Sequence, residues 1–166
     1  MEGFDFQNLL STQGLDKFIN LSGLYYPDLV RVFYCNLRKN NECVLVSEVN
    51  GVTITMTKEV YDKVGGLKRT GIIPNYANMK AKGVEIDKDA FFESMLRDVS
   101  AWEADKAAKK RNNKKVTYNV GGLFTDDRLL HYCIVWVLAA RGSNHAQISE
   151  DDMILMVALK NGVKVD

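Results

Sequence analysis

Twelve residues near the end of the chain, "RGSNHAQISEDD" from Arg141 to Asp152, bring together a guanidinium, two hydroxyls, two amides, an imidazole and three carboxylates. Such a set could do hydrolytic chemistry. His145 would be the general base, Ser143 or Ser149 the nucleophile, and an acid from elsewhere in the chain would orient the imidazole. A triad is defined by geometry in the folded state, and neither serine stands in a nucleophile-elbow pattern. The same residues also have structural duties. Gly142 suits the end of one helix. Ser149 suits the N-cap of the next, and Asp152 three residues on resembles a capping box built with the shorter acid. Glu150, Asp151 and Asp152 put negative charge where a helix start favours it. The spacing predicts a helix–turn–helix junction. It leaves Arg141, Asn144 and His145 to fix the loop or to meet a partner.

The second group with functional character is cationic. Residues 85–105 carry seven acidic and two basic side chains, whereas residues 106–115 carry six basic and none acidic. Lys106, Lys109, Lys110, Arg111, Lys114 and Lys115 could contact phosphates or act as a nuclear import signal. The plain alternative is a solvated, mobile charged loop. No aromatic residue is interleaved before Tyr118, so base stacking is not suggested.

Metal and cofactor sites are not expected. The two histidines and the three cysteines, Cys35, Cys43 and Cys133, lack metal-ligand spacing. His131 and Cys133, two apart on a helix, point to different faces, and a core or helix-edge histidine is the better reading. The glycine pairs of "VGGLK" and "VGGLF" lack the Lys-Ser/Thr of a phosphate loop and suit chain reversal. The adjacent acids Asp126 and Asp127 are explained by a helix start.

The frame that must position these groups is 166 residues long, the usual size of one domain. Its net charge of +1 gives no global hint of nucleic acid or membrane. The longest apolar run, "CIVWVLAA" (Cys133 to Ala140), is far short of a membrane span. The start, "MEGFDFQNLL", has no secretory pattern. An odd number of unpaired thiols suits a reducing compartment, so an intracellular protein, nuclear or cytoplasmic, is expected.

Residues 1–21 read as a loose or short-helical lead-in to a single globular domain over 22–166. Pro27 suits the first turn of a helix running to about Asn40, with Leu29, Val32, Phe33 and Leu37 on one face. Asn50-Gly51 between β-branched runs predicts a β-hairpin over about 44–57. Thr57 caps a short helix closed by Gly65-Gly66. Residues 67–84, with Gly71, Pro74 and Gly83, read as an irregular connection. Asp87 caps a helix from Lys88 to about Ala104 that can run on into the basic segment. Thr125 caps the next, which is apolar nearly all round from Leu129 to Ala140 except at His131, as befits a helix covered on most sides. The last helix runs from Glu150 to Lys160 and stops at Asn161-Gly162. These readings give a mostly helical α+β domain of about five helices and one hairpin.

Three segments also carry a family resemblance: "LVRVFYCNL", "VNGVTITMTKEVYDKVGGL" and "RLLHYCIVWVLAARGSNHAQISEDDMILMVALKNG". In this order they resemble the plant transposon protein domain of retroelement-derived plant genes. More distantly they are similar to the plant mobile domain. The resemblance covers about residues 22–65 and 116–163 and departs at Ala140, where such proteins often carry a proline. It implies a plant, mobile-element origin and a non-catalytic domain, with no catalytic residue to carry over. The leading expectation is an interaction module binding protein or nucleic acid, with homo-oligomers open to it. The alternatives are a capsid-like self-assembling unit and a hydrolase using His145.

Overall fold

The structure, a computed structural model, describes residues 6–68, 70–139 and 141–166. Ala140 and the first five residues of the lead-in therefore lie outside the described residues. The helices in chain order are α1 (Phe6–Thr12), α2 (Asp16–Ile19), α3 (Pro27–Cys35), α4 (Lys58–Val60), α5 (Tyr76–Ala81), α6 (Lys88–Glu93), α7 (Val99–Arg111), α8 (Thr125–Cys133) and α9 (Glu150–Lys160). Three strands, β1 (Arg38–Lys39), β2 (Leu45–Val49) and β3 (Val52–Thr55), form an antiparallel sheet in that order. The class is α+β, with nine α-helices among the described residues where about five were expected. The chain divides into two compact units. One is Gly14–Arg69; the other joins Met1–Gln13 to Thr70–Asp166.

The Gly14–Arg69 unit is built on the hairpin. Asn50 and Gly51 both take positive φ, 50° and 77°, and Val49 pairs with Val52 across the two-residue turn. That is the turn the Asn-Gly pair demands, because its twist matches that of the strands. Helix α3 lies against β2, where the buried Ser47 hydroxyl donates to the Phe33 carbonyl at 2.7 Å. The helix stops at Cys35, not near Asn40, because Arg38 and Lys39 leave it to pair with Val46 and Leu45. Thr57 caps α4 as expected, and Gly66 closes the π-helical turn Tyr61–Gly65 at a φ of 70°.

The core of the other unit centres on α9. Its Met153, Met156 and Leu159 face a cluster with Phe92, Met95, Leu123, Leu130 and Ile134. Its Ile154, Val157 and Ala158 face a second cluster with Met79. Apolar residues all round the helix are thus matched by neighbours all round it. The lead-in contributes more than a loose arm. Leu10 of α1 is buried, and the Gln13 side-chain amide donates to Val163 O and accepts from Val165 N.

Three expected boundaries shift, each for a local reason. The connection over 67–84 contains α5, because Asn75 caps it through the Asn78 amide at 2.9 Å. The helix expected over 88–104 is two helices. Asp98 caps a new start through Ala101 N, and Leu96 bridges to Leu123 in the gap. Thr125 is the first residue of α8 and makes no cap; Phe124 precedes it without a side-chain cap bond.

Two glycines test this frame. Gly51→Val forces a β-branched residue to positive φ and should cost on the order of 1 kcal/mol or more in urea unfolding. At Gly71 a Cβ would lie 2.3 Å from the Val165 backbone, beside the Ile72–Val165 bridge. Gly71→Ala should therefore destabilise at least as much, in a position that looks like an ordinary loop. Unchanged unfolding midpoints would contradict both assignments.

Candidate functional site

The junction between α8 and α9 gathers most of the polar residues singled out above. The capping box is present. Asp152 N donates to Ser149 Oγ at 3.2 Å, and Ser149 N donates to Asp152 Oδ2 at 2.8 Å. The same Oδ2 takes Arg141 Nη1 at 2.8 Å, although Asp152 is buried. The other end of the guanidinium, Nη2, donates to Asn144 O at 3.1 Å and to Gln147 O at 3.0 Å. One arginine thereby holds both sides of the turn to the start of α9. Asn144 takes the left-handed position at a φ of 58°, where an amide side chain is tolerated. Gly142 does not: the helix has already ended at Leu138, through the π-helical turn Ile134–Leu138, so Gly142 is no helix stop.

His145 is part of the same turn. Its Nε2 lies 2.5 Å from the Arg141 carbonyl, and its ring meets Trp136 edge-on with centroids 4.1 Å apart. Arg141, Asn144 and His145 are thus brought together, and their contacts hold the loop. One ring nitrogen of His145, Nε2, is taken by a backbone carbonyl. A cleft of about 350 Å³ in this unit is lined by Val84, Ile86, Asp87, Phe91, Val157 and Asn161, away from His145.

Beneath the turn lies His131, expected from the sequence as a core or helix-edge histidine. His131 of α8 is fully buried, with neither ring nitrogen hydrogen-bonded. Its Nε2 stands 3.5 Å from Asp152 Oδ2, close enough to feel the charge but too far for a good hydrogen bond. Burial holds its pKa below the ordinary 6.5, and Asp152 opposes that effect without overcoming it.

The outer face of α8 departs from expectation. A helix apolar nearly all round was expected to be covered on most sides. Instead Leu129, Tyr132 and Trp136 lie exposed at helical spacing, Trp136 at 63% and Tyr132 at 41%, with Val137 beside them. The helix covered all round is α9. Buried Leu130, Ile134 and Val135 supply the inner face of α8 and its π-helical turn.

The basic run divides into two groups. Helix α7 continues through it to Arg111, so the segment begins as helix. Lys106 pairs with Asp89, approaches Glu93 and lies over the Trp102 ring at 4.4 Å. Asp89 also accepts from the Tyr118 hydroxyl at 2.7 Å, and burial with this acid pushes the phenol pKa up to about 12. Lys109 binds Asp105 at 2.6 Å and Thr117 Oγ1 at 2.8 Å. Lys110, Arg111, Lys114 and Lys115 remain exposed. The acidic stretch holding Asp89, Glu93 and Asp105 and the basic run after it were visible in the sequence, but the pairing of Lys106 with Asp89 across elements was not.

Two measurements test the junction. Ser149→Ala should lower stability by about 1 kcal/mol through the lost cap. Asp152→Ala should cost several times that, since it also strands Arg141 against the turn. The second test is pH. His131 is held neutral in the fold and takes a proton more readily when unfolded. Its contribution is therefore complete above pH 6.5 and is lost as pH falls through the lower folded value. Urea midpoints should drop over that range, and His131→Gln should flatten the drop. A slope unaltered in His131→Gln would remove His131 from the account.

No helix among the described residues is long and apolar enough to cross a membrane. Comparison with protein-family models, with curated proteins and with solved structures finds no match for this chain.

Proposed function

We propose that this chain is a non-catalytic interaction module that binds another protein through the outer face of α8 and the π-helical turn after it. The observation that carries this reading is the bare stripe of Leu129, Tyr132 and Trp136 on a helix whose composition calls for cover. Trp and Tyr are the residues most often found to dominate the energy of protein interfaces, because they bury a large rigid surface at low entropic cost. The basic run supports nucleic acid less well. Two of its six cations are committed to Asp89 and Asp105, and no exposed aromatic stands among the other four. A plant mobile-element ancestry belongs to the proposal and rests on the three sequence segments named above.

A capsid-like self-assembling unit is the second reading. It is favoured by a separate apolar surface in the Gly14–Arg69 unit, where Leu24, Tyr25, Tyr26 and Tyr34 are exposed.

The test is capture from plant extract with and without nuclease, repeated with Tyr132→Ala/Trp136→Ala. The expected outcome is nuclease-resistant capture of a defined partner, reduced by about tenfold or more in the double variant. Replacing Lys110, Arg111, Lys114 and Lys115 by Glu should leave that capture intact. Capture that nuclease abolishes, that falls steeply with salt and that the Glu variant loses would instead assign the function to the cations. Light scattering on the purified chain reads the self-assembly alternative directly.

A further inference from the structure

Asp152 Oδ2 is the acceptor for two donors, Ser149 N and Arg141 Nη1, each at 2.8 Å. A carboxylate oxygen offers about two lone-pair sites, so this one is full. His131 Nε2 waits at 3.5 Å, buried and without a hydrogen bond. We propose that this arrangement is an acid-released latch, in which protonated His131 takes the place of Arg141 on Asp152 and frees the turn 141–148.

The competition has a defined winner. A charged imidazole has two N–H donors, and neither can reach water from a fully buried ring. The Arg141 side chain is 25% exposed, so its guanidinium can turn out to solvent at far lower cost. Ser149 N is a backbone donor fixed by the start of α9 and cannot leave without unwinding it. Arg141 is the donor that can go. Its departure also releases Asn144 O and Gln147 O, the two carbonyls that shape the turn.

The charged and titratable groups around His131 fit this account. From the turn come Arg141 and His145, whose charge opposes protonation, and from α9 comes Asp152, which favours it. On α8 itself, Asp127 lies one turn back and is engaged by Lys160 of α9 at 2.5 Å. Tyr132 and Cys133 follow His131 on the helix, the ring of Tyr132 at 6.3 Å. Helix α1, which packs on α8 with the sequence FQNLLST, brings no ionisable side chain, and neither do Val120–Gly122 or Ile134–Leu138. Protonation therefore places two cations against the Asp152 carboxylate, and expelling Arg141 relieves their repulsion.

The consequence reaches the proposed binding face. His145 bridges the Arg141 carbonyl to the Trp136 ring, so release of the turn withdraws His145 from Trp136. Partner binding would then change with acid. That consequence rests on the interaction reading above; the latch itself can be read on the free protein.

The experiment is amide hydrogen exchange on the purified chain at about pH 7.5 and about pH 5, corrected for the intrinsic pH dependence of exchange. Protection at Gln147 and Ile148, whose amides donate to Asn144 O and Tyr118 O, should fall by about tenfold or more at the acid value, while residues 153–159 of α9 stay protected. His131→Gln should remove the acid response, and His145→Gln should keep it. Should His131→Gln fail to fold by circular dichroism, Arg141→Gln replaces it. The turn should then exchange at the acid rate even at about pH 7.5. Protection that ignores pH, an acid response that survives His131→Gln, or a turn still protected in Arg141→Gln would overturn the latch. None of these outcomes depends on partner capture.

Discussion

The Asp152 carboxylate joins three scales of the structure. Locally it completes the capping box at the start of α9, satisfying an amide that a helix start leaves without an intrahelical partner. At the next scale it anchors Arg141, and through it the turn from Asn144 to Gln147. At the scale of the core it faces His131 on α8. A buried carboxylate is tolerable only when its charge is met, and here an arginine and a backbone amide meet it. The arrangement ties the first turn of the most buried helix to the end of its neighbour. Little apolar contact is available within a turn as polar as "RGSNHAQ", so charge and hydrogen bonds must hold it.

Hydropathy marked α8 as the helix that needs cover on most sides, yet the fold covers α9 all round and α8 only in part. Helix α9 has clusters on both sides, one containing Phe92 and Met95, the other Met79. Helix α8 and its π-helical turn bury Leu130, Ile134 and Val135, and leave Trp136 and Val137 facing out. The sequences "LLHYCIVWVL" and "MILMVALK" do not reveal which will lie at the centre. Composition states the demand for burial, but long-range packing decides which neighbours meet it. The mismatch at α8 is informative for that reason: an apolar face without neighbours marks an interface more often than a mistake of packing.

Local chemistry was legible at several places where it closed within a few residues, though the Asn75 cap was missed and the cap expected at Thr125 is not made. The Asn50-Gly51 turn, the caps at Thr57, Asp87 and Ser149, and the stop at Asn161-Gly162 all depend on neighbours in sequence. Caps that compete with a plausible continuation were harder to see. Asp98 lies in a stretch whose apolar positions could continue one helix, and only the contact of Leu96 with Leu123 shows why the chain breaks there. Gly142 illustrates the opposite error. A glycine after an apolar helix invites a left-handed stop, yet the π-helical turn ends the helix earlier and Asn144 takes the left-handed position instead. The Arg141–Asp152 pair spans eleven residues, and the depth of His131 depends on packing between α8 and α9. Neither follows from periodicity.

The basic segment shows how a charge run loses its generic meaning once it is folded. As a string, Lys106 to Lys115 is a uniform cationic patch. On α7, with the Asp89 carboxylate nearby, Lys106 becomes the centre of a network with Tyr118 and the Trp102 ring. Its stem and charge serve the packing of α6 against α7. Lys109 is likewise drawn to Asp105 and Thr117. What remains for phosphate is Lys110, Arg111, Lys114 and Lys115, the last two beyond the helix end. Four exposed cations on a chain of net charge +1 make a weak field, easily screened at physiological salt. The Leu129–Tyr132–Trp136 stripe has no such weakness, since apolar association is not screened by salt and its geometry is fixed by a helix packed into the core. On the interaction reading proposed above, this balance of forces would put specificity on the helix face and give the cations a supporting role in encounter.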